Sequence, residues 1–329
     1  MFGNGTEKSY NFESKVVLPH EEYSVDDFHL SEIIQNPELM FSEPNLSDYD
    51  RYQKHRKNRE LLTDKSKFLG IGNDGFVASM DDPKYGYTCI KYVWSTLDIY
   101  PGKGFSYEDL DSEMFALHTI SERFKEIKSI TRANSLKTSQ TPIPTNSPIR
   151  EAVFQESARK ILLEEKQNCY IPQIIEIDSF QEIEDEGEDD LDPVYFLNEK
   201  YSTITMKKVN GLSIQDIILN YPETKEYLSV IDVDKIEEDV KAAISCLHEH
   251  KIKHQDITIR NIMFDLEQKR PALIDFGKSS YGSGDVSTEK EIENVSEVMR
   301  HLRTFLRDPE NKKQDLLEEF ARQSARRGI

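Results

Sequence analysis

The stretch His254–Gly277 constrains the fold of this chain more than any other. Two short apolar runs inside it flank a charged turn, a pattern that indicates a small β-hairpin. Each run carries an acid or an amide at one end. We therefore expect three oxygen-bearing side chains to converge on one place: those of Asp256, Asn261 and Asp275.

Carboxylate and amide oxygens suit a hard cation such as Mg²⁺, and this set leaves one acid to handle a proton. The spacing H-x-D-x4-N followed by D-F-G resembles the catalytic loop and metal loop of protein kinases. The resemblance implies that Asp256 orients the acceptor hydroxyl and takes its proton. It further implies that Asn261 and Asp275 hold Mg²⁺ and that His254 buttresses the loop.

A second motif lies nearer the N-terminus, where residues 68–77 fit G-x-G-x-x-G-x-V. Glycines let a backbone approach phosphates closely and point its N–H groups at them. Sixteen residues after the last glycine, Lys91 stands in a β-rich run and takes the place of the kinase lysine that neutralises the nucleotide phosphates. The resemblance implies that ATP is covered by Gly70, Gly72, Gly75 and Val77 and gripped by Lys91.

A protein kinase also needs a glutamate on a helix to hold that lysine, and two candidates fit. Glu113 lies on an apolar helical face 22 residues past Lys91, and Glu151 begins a second amphipathic helix. Residues 129–147 between them are rich in Ser, Thr, Pro and Asn, which indicates an inserted loop. If Glu151 is the partner, the chain resembles small RIO-type kinases, which carry a flexible insertion there. Glu156 is a third candidate.

The run Tyr201–Gly211 indicates a last strand of the small lobe that passes into a hinge. Protein kinases bind the adenine of ATP through backbone groups of the hinge, so the resemblance implies that Met206 and Val209 contact the adenine. Further on, Asp234 followed by Glu237 resembles a capping box with Asp234 in the cap position, and it predicts the start of a helix.

Composition narrows the class of protein. The formal net charge of −19 argues against a nucleic-acid partner. The sequence has no apolar stretch of about 18 residues and no apolar signal core at its N-terminus, so we expect a soluble protein without a membrane partner. Three cysteines lie far apart without a C-x-x-C pair, which favours buried thiols in a reducing, cytoplasmic compartment.

These features together predict an α+β fold of the bilobal protein-kinase-like type, with an antiparallel β-rich N-lobe and a reduced helical C-lobe. The predicted boundaries are 1–66 for an N-terminal extension that is partly helical or disordered, 67–309 for the kinase-like domain (67–208 N-lobe, 209–309 C-lobe), and 310–329 for a C-terminal helix and basic end.

Departures from the common kinase pattern refine the resemblance. Gln255 replaces the arginine that pairs with an activation-loop phosphate, and Thr258 replaces a phosphate-contacting lysine. Arg260 stands where tyrosine kinases place an arginine, so the resemblance implies that it supplies the missing catalytic charge. Only 52 residues follow Gly277 and none spells A-P-E, as in RIO kinases and the small kinase associated with tRNA modification.

We therefore predict a small atypical serine/threonine protein kinase that uses ATP and Mg²⁺ and acts on a protein substrate. Two alternatives remain open. The first is a small-molecule kinase of the aminoglycoside or choline type, which shares H-x-D-x4-N. The second is a nucleotide-binding regulatory module with weak ATPase activity.

Overall fold

A seven-stranded antiparallel sheet forms the first layer of the fold. The computed structural model of the protein describes residues 11–19, 32–33, 39–47, 50, 54, 67–71, 75–82, 84–94, 148–183, 200–282 and 287–316. The strands of this sheet are β1 (Asn11–Pro19), β2 (Phe41–Ser42), β3 (Phe68–Ile71), β4 (Gly75–Asp82), β5 (Gly86–Trp94), β6 (Ile174–Ile183) and β7 (Lys200–Lys207). Their order across the sheet is β2-β1-β6-β7-β5-β4-β3.

Strand β1 lies inside the segment predicted to be a partly helical or disordered extension. It pairs with β6 along most of its length, with Val17 opposite Ile177. Four of its first five residues are charged or polar and only Phe12 is apolar, so the sequence shows little of the alternation that marks a strand. The buried side chains of Val17 and Phe41 nevertheless join the hydrophobic core, and the sheet therefore begins well before residue 67.

Helices and short strands form the second part of the fold. The helices are α1 (Pro148–Glu164), α2 (Ile214–Leu219), α3 (Lys225–Leu228), α4 (Val233–Glu249) and α5 (Thr288–Arg307). The remaining strands are β8 (Gly211–Ser213), β9 (Ile252–Lys253), β10 (Ile262–Asp265), β11 (Arg270–Leu273) and β12 (Ser280–Tyr281). Helix α1 contacts both β6 and α4, so it joins the sheet to the helical part.

The start of α4 differs from the sequence prediction. Its N-cap is Asp232, whose side chain accepts a hydrogen bond of 3.1 Å from Lys235 N, and the predicted cap Asp234 lies in the first turn instead. Both aspartates precede the same apolar periodicity, so spacing alone did not separate them. The predicted apolar face is buried, including Val240, Ile244 and Leu247.

The predicted hairpin within residues 254–277 is present. Strands β10 and β11 pair antiparallel, with Ile262 opposite Leu273, and β10 also pairs with β8. Gly211 in β8 lies so close to β10 that a Cβ atom there would be 1.8 Å from the carbonyl oxygen of Phe264. The hairpin therefore sits in a tightly packed three-stranded sheet that fixes the ends of both strands.

All three cysteines are buried free thiols. Burial raises the pKa of Cys89 to about 12, and it raises the pKa of Cys246 to about 11. Both thiols are therefore neutral near pH 7. Among the described residues, no helix combines the length and apolar character that a membrane crossing requires.

Candidate active site

Lys91 is the residue at which the two parts of the fold meet. It lies in β5, between β4 and β7, and only 8% of it is exposed. Its Nζ atom is 2.6 Å from Glu151 Oε1 of α1 and 2.8 Å from Asp275 Oδ1, which follows the β10–β11 hairpin. The structure therefore brings Lys91, which follows the glycine-rich motif, into contact with Asp275 of the D-F-G motif.

The opposite charges of Lys91 and its carboxylate partners stabilise the charged forms of Lys91 and Asp275. Burial by itself lowers the pKa of Lys91, but the charges of Glu151 and Asp275 outweigh burial and raise it well above its ordinary value. Burial by itself raises the pKa of Asp275, yet the neighbouring ammonium of Lys91 holds the pKa of that carboxyl below its usual range. Lys91 is therefore held as an ammonium and Asp275 as a carboxylate near pH 7.

Among the three candidate glutamates, the one that pairs with Lys91 in the described part of the chain is Glu151. Glu151 lies in the first turn of α1, and its side chain is buried on the face that contacts the sheet. Glu156, the third candidate, pairs instead with Arg159 at 2.6 Å and accepts a hydrogen bond from Ile174 N. Glu113 lies outside the described residues.

Asp256 and Asn261 form the second cluster of the site. Asn261 Nδ2 donates to the backbone oxygen of Asp256 at 2.9 Å and to Asp256 Oδ2 at 3.1 Å. The amide nitrogen is thereby used on Asp256, and this orientation leaves the Asn261 amide oxygen as the atom suited to a cation. That oxygen and the carboxylate of Asp275 match the oxygen ligands that Mg²⁺ prefers.

Mg²⁺ commonly binds proteins through one or two carboxylates together with substrate phosphates. Among the described residues, no group of three or more His, Cys, Asp or Glu side chains is arranged to hold a metal by itself. The donor set of Asn261 and Asp275 therefore fits a cation that is completed by phosphate oxygens. Such an ion would neutralise charge on those phosphates.

The backbone conformation at Asp275 and the small size of Gly277 place the Asp275 carboxylate beside Lys91. Asp275 adopts φ +66°, a left-handed conformation that is unusual for a residue other than glycine. At Gly277, an added Cβ atom would lie 3.4 Å from both Asp275 Oδ1 and Glu151 Oε2. Glycine at that position therefore leaves room for the two carboxylates beside Lys91.

His254 buttresses the loop, as the sequence analysis expected. It is fully buried, and its Nε2 donates to the carbonyl oxygen of Ile274 at 3.1 Å. Its ring also packs on Phe276, with the ring centroids 4.6 Å apart. These contacts tie the segment before Asp256 to the segment that carries Asp275.

Glu291 of α5 is a residue of the site that the sequence analysis missed. Its buried carboxylate accepts hydrogen bonds from the backbone N–H groups of His254 and Gln255. The same carboxylate lies 2.6 Å from His248 Nε2, and Thr288 Oγ1 lies 2.8 Å from the other ring nitrogen. Glu291 was predicted only as part of an amphipathic helix, and its one signal was a charge close to the apolar face.

Lys278 was also missed. Its Nζ atom lies 3.2 Å from Asp256 Oδ2, so the residue directly after D-F-G contacts the predicted catalytic acid. Gln255 Nε2 donates to Ser280 Oγ, and Arg150 Nη2 donates to the carbonyl oxygen of Ser279 at 3.2 Å. The segment after Gly277 is therefore held by the catalytic loop and by α1.

The predicted nucleotide-covering residues are partly within the described chain. Gly70 in β3 pairs with Val77 of β4, and Gly75 at the start of β4 pairs with Val93. Val77 is half-buried and stands opposite Lys91 in the register of β4 and β5. The structure thus brings these residues to the same edge of the site, whereas Gly72 lies outside the described residues.

The segment predicted to be the hinge directly follows β7. Met206 is the penultimate residue of β7 and pairs with Cys89 of β5, two residues before Lys91. Val209 is buried just beyond β7, and the backbone N–H of Lys208 donates a hydrogen bond of 3.2 Å to Tyr87 O. The backbone of the predicted hinge segment is therefore anchored to β5, the strand that carries Lys91.

Arg260 follows Ile259 in the loop between Asp256 and Asn261. Its side chain is exposed, and within the described part of the chain it forms no ion pair with Asp256. Thr258, also in the catalytic loop, has a buried Oγ1 without a hydrogen-bond partner among the described residues. The charge that the resemblance assigns to Arg260 thus forms no ion pair with Asp256 among the described residues.

Comparison with known proteins agrees with the geometry. The family model described as "Protein kinase domain" matches residues 152–297, which include α4, the catalytic loop, the D-F-G segment and Glu291. A probable serine/threonine-protein kinase fnkB of Dictyostelium discoideum is 32% identical over 83 residues, which cover 25% of this chain and 15% of that protein.

A second relative is a probable serine/threonine-protein kinase KIN1 homolog of Enterocytozoon bieneusi. It is 31% identical over 91 residues, which cover 28% of this chain and 14% of that protein. The chain thus aligns with about one seventh of the length of each relative. Together with the sheet, the helices and the site, the family match confirms the predicted bilobal, protein-kinase-like α+β fold.

Proposed function

We propose that this chain is an ATP- and Mg²⁺-dependent protein kinase of the small atypical type, and that it phosphorylates serine or threonine on a protein substrate. The observation that carries the proposal is the contact of one lysine with two carboxylates, at 2.6 Å to Glu151 and 2.8 Å to Asp275. An ammonium held in this way is positioned for the phosphates of a nucleotide beside a metal-binding carboxylate.

Each residue of the site has a separate role in phosphoryl transfer. Lys91 binds nucleotide phosphates from the sheet side, while Asn261 and Asp275 hold the cation. Asp256 is fixed by Asn261 and orients the acceptor hydroxyl, whose proton it accepts as transfer proceeds. Catalysis then comes from positioning and charge neutralisation in a site already arranged for them.

The atypical subtype is supported by the length of the segment after D-F-G. Residues 278–287, ten in all, separate Gly277 from the start of α5. A segment this short leaves little chain for a peptide-docking platform. Serine/threonine specificity is supported by the two relatives, which are both named as probable serine/threonine-protein kinases. A cytoplasmic, reducing location is supported by the buried free thiols.

Incubation with labelled ATP and Mg²⁺ in a lysate of the native host tests the proposal, with Asp256→Asn as the matched control. We expect label on protein serine or threonine with the wild-type chain, reduced at least a hundredfold in the variant. Label that appears only on a small molecule would establish the small-molecule kinase alternative. Release of phosphate without transfer would establish the weak ATPase alternative, and in either case the proposal is wrong.

A further inference from the structure

Lys278 and Asn261 contact the same oxygen of the catalytic acid. Asp256 Oδ2 is 3.1 Å from Asn261 Nδ2 and 3.2 Å from Lys278 Nζ. Both contacts lie on one side of the carboxylate, so the Oδ1 atom is the one left for an acceptor hydroxyl. The Lys278 ammonium carries three N–H donors and forms an ion pair with Asp256, so it has donors to offer a second anion.

The charges of the site favour a further cation on the acceptor side, in addition to the one that Asn261 and Asp275 would hold. Lys91 is compensated by two carboxylates, Glu151 and Asp275, at less than 3 Å. Asp256 adds another negative charge on the acceptor side, where the anionic phosphoryl group must approach. Like charges a few ångströms apart repel strongly at a partly buried site, so a cation between them lowers the cost of that approach.

Lys278 is the residue that the described structure offers for this purpose. Arg260 is exposed and not paired with Asp256 in the described part of the chain, and Thr258 carries no charge. Lys278 is 40% exposed in its side chain, which leaves the remaining N–H groups of its ammonium accessible to a ligand.

The backbone on both sides of Lys278 is anchored. Phe276 is fully buried and packs on His254. Ser279 N donates to Phe276 O at 3.0 Å, Ser279 Oγ donates to His254 O at 3.4 Å, and Arg150 donates to Ser279 O. The Cα of Lys278 is therefore fixed relative to the catalytic loop, and only its flexible side chain needs to adjust.

We propose that Lys278 is a catalytic residue that binds the transferring γ-phosphoryl group of ATP while it holds Asp256, the role first assigned to Arg260. This inference rests on the proposed function. The acceptor oxygen forms a bond to the γ-phosphorus as the bond from that phosphorus to the bridging oxygen breaks. ADP leaves with the electron pair of the broken bond, and Asp256 takes the hydroxyl proton. Lys278 is unchanged and offsets negative charge on the phosphoryl oxygens.

Equilibrium binding of Mg·ATP and Mg·ADP tests this role. Lys278→Met should weaken ATP binding about 5- to 30-fold and change ADP binding less than about twofold, because only ATP carries the γ-phosphoryl group. Lys278→Arg should restore most of the difference. Lys312→Met is a matched control, since Lys312 is similarly exposed (42%) and pairs with one carboxylate, Asp315, at 2.9 Å.

Phosphoryl transfer, measured with the same variants, should show a lower kcat for Lys278→Met. The inference is wrong if Lys278→Met binds ATP as the wild type does, if it loses ATP and ADP affinity equally, or if Arg260→Met shows the selective loss instead. These outcomes are separate from failure of the proposed function. A wild-type chain that binds ATP more tightly than ADP through Lys278 but transfers no phosphate to protein would refute only the kinase proposal.

Discussion

The pairing of Lys91 with Glu151 makes a sharp prediction for Glu151→Gln. The substitution keeps the size and shape of the side chain and removes its charge. It acts on a contact of 2.6 Å in which only 5% of the glutamate side chain is exposed. We expect the variant to fold, to be less stable, and to lose most phosphoryl transfer.

The remaining contact of Lys91 sets the size of the effect. Removing one member of a buried ion pair costs about 3–5 kcal/mol when the other charge is left alone. Here Asp275 stays 2.8 Å from the ammonium, so the loss is nearer that of one charge-assisted hydrogen bond, about 1.5–3 kcal/mol. At about 2–4 °C per kcal/mol for a domain of this size, the Tm should fall by about 3–12 °C.

The pH dependence of this difference follows from the pKa of Lys91, which its two carboxylate partners raise in the folded state against the lowering effect of burial. A raised pKa contributes stability that is complete below the ordinary lysine value of about 10.4 and lost as the pH rises through the folded pKa. The Tm difference between wild type and Glu151→Gln should therefore stay constant from pH 6 to pH 9.

Thermal unfolding by circular dichroism, with and without Mg·ATP, measures these effects. Glu113→Gln is the decisive control, because the sequence offered Glu113 as an equal candidate. We expect Glu113→Gln to match the wild type in Tm and in kcat/KM. We expect Glu151→Gln to lose about a hundredfold in kcat/KM, because Lys91 is then held by Asp275 alone and is displaced from its position at the phosphates. A loss confined to Glu113→Gln would refute the assignment of Glu151.

Two further substitutions test how the site is supported. Gly211→Ala should destabilise the protein by more than about 3 kcal/mol in urea unfolding, because its Cβ would lie 1.8 Å from Phe264 O, whereas Gly86→Ala, with open space at φ +73°, should cost about 1–2 kcal/mol. Equal costs would contradict this explanation. Glu291→Gln should lower kcat at least tenfold with ATP affinity nearly unchanged, because its charge is lost from the catalytic-loop N–H groups and not from the nucleotide site. An unchanged kcat, measured by transfer from labelled ATP, would show that the loop holds its shape without that carboxylate.

Sequence spacing predicted the site best where one short stretch carries several functional groups. Asp256, Asn261 and Asp275 flank a single hairpin, so the strand pairing of β10 and β11 is enough to bring them near each other. Lys91 was predicted from a resemblance, and its contact with Asp275 joins residues 184 positions apart. No local pattern encodes that distance, because it depends on how the sheet packs against the helical part.

The residues that were missed act through tertiary contacts alone. Glu291 lies 37 positions from His254, and its role depends on the packing of α5 against α4. Its sequence neighbourhood looks like any charged turn of an amphipathic helix. Strand β1 was missed for a related reason: its pairing with β6 decides its conformation, and its own residues show little strand periodicity.

Local strain at the site and its supporting contacts occur at the same residues. Gln255 and Asp275 both have positive φ, +63° and +66°, which costs of order 1–3 kcal/mol each for residues other than glycine. Gln255 is the residue whose N–H binds Glu291, and Asp275 is the residue whose carboxylate binds Lys91. The strained backbone is therefore stabilised by partly buried, charge-assisted contacts from α5 and β5. Since these contacts come from different parts of the fold, the relative position of Asp256 and Asp275 depends on the packing of α5 and of the sheet against the loop.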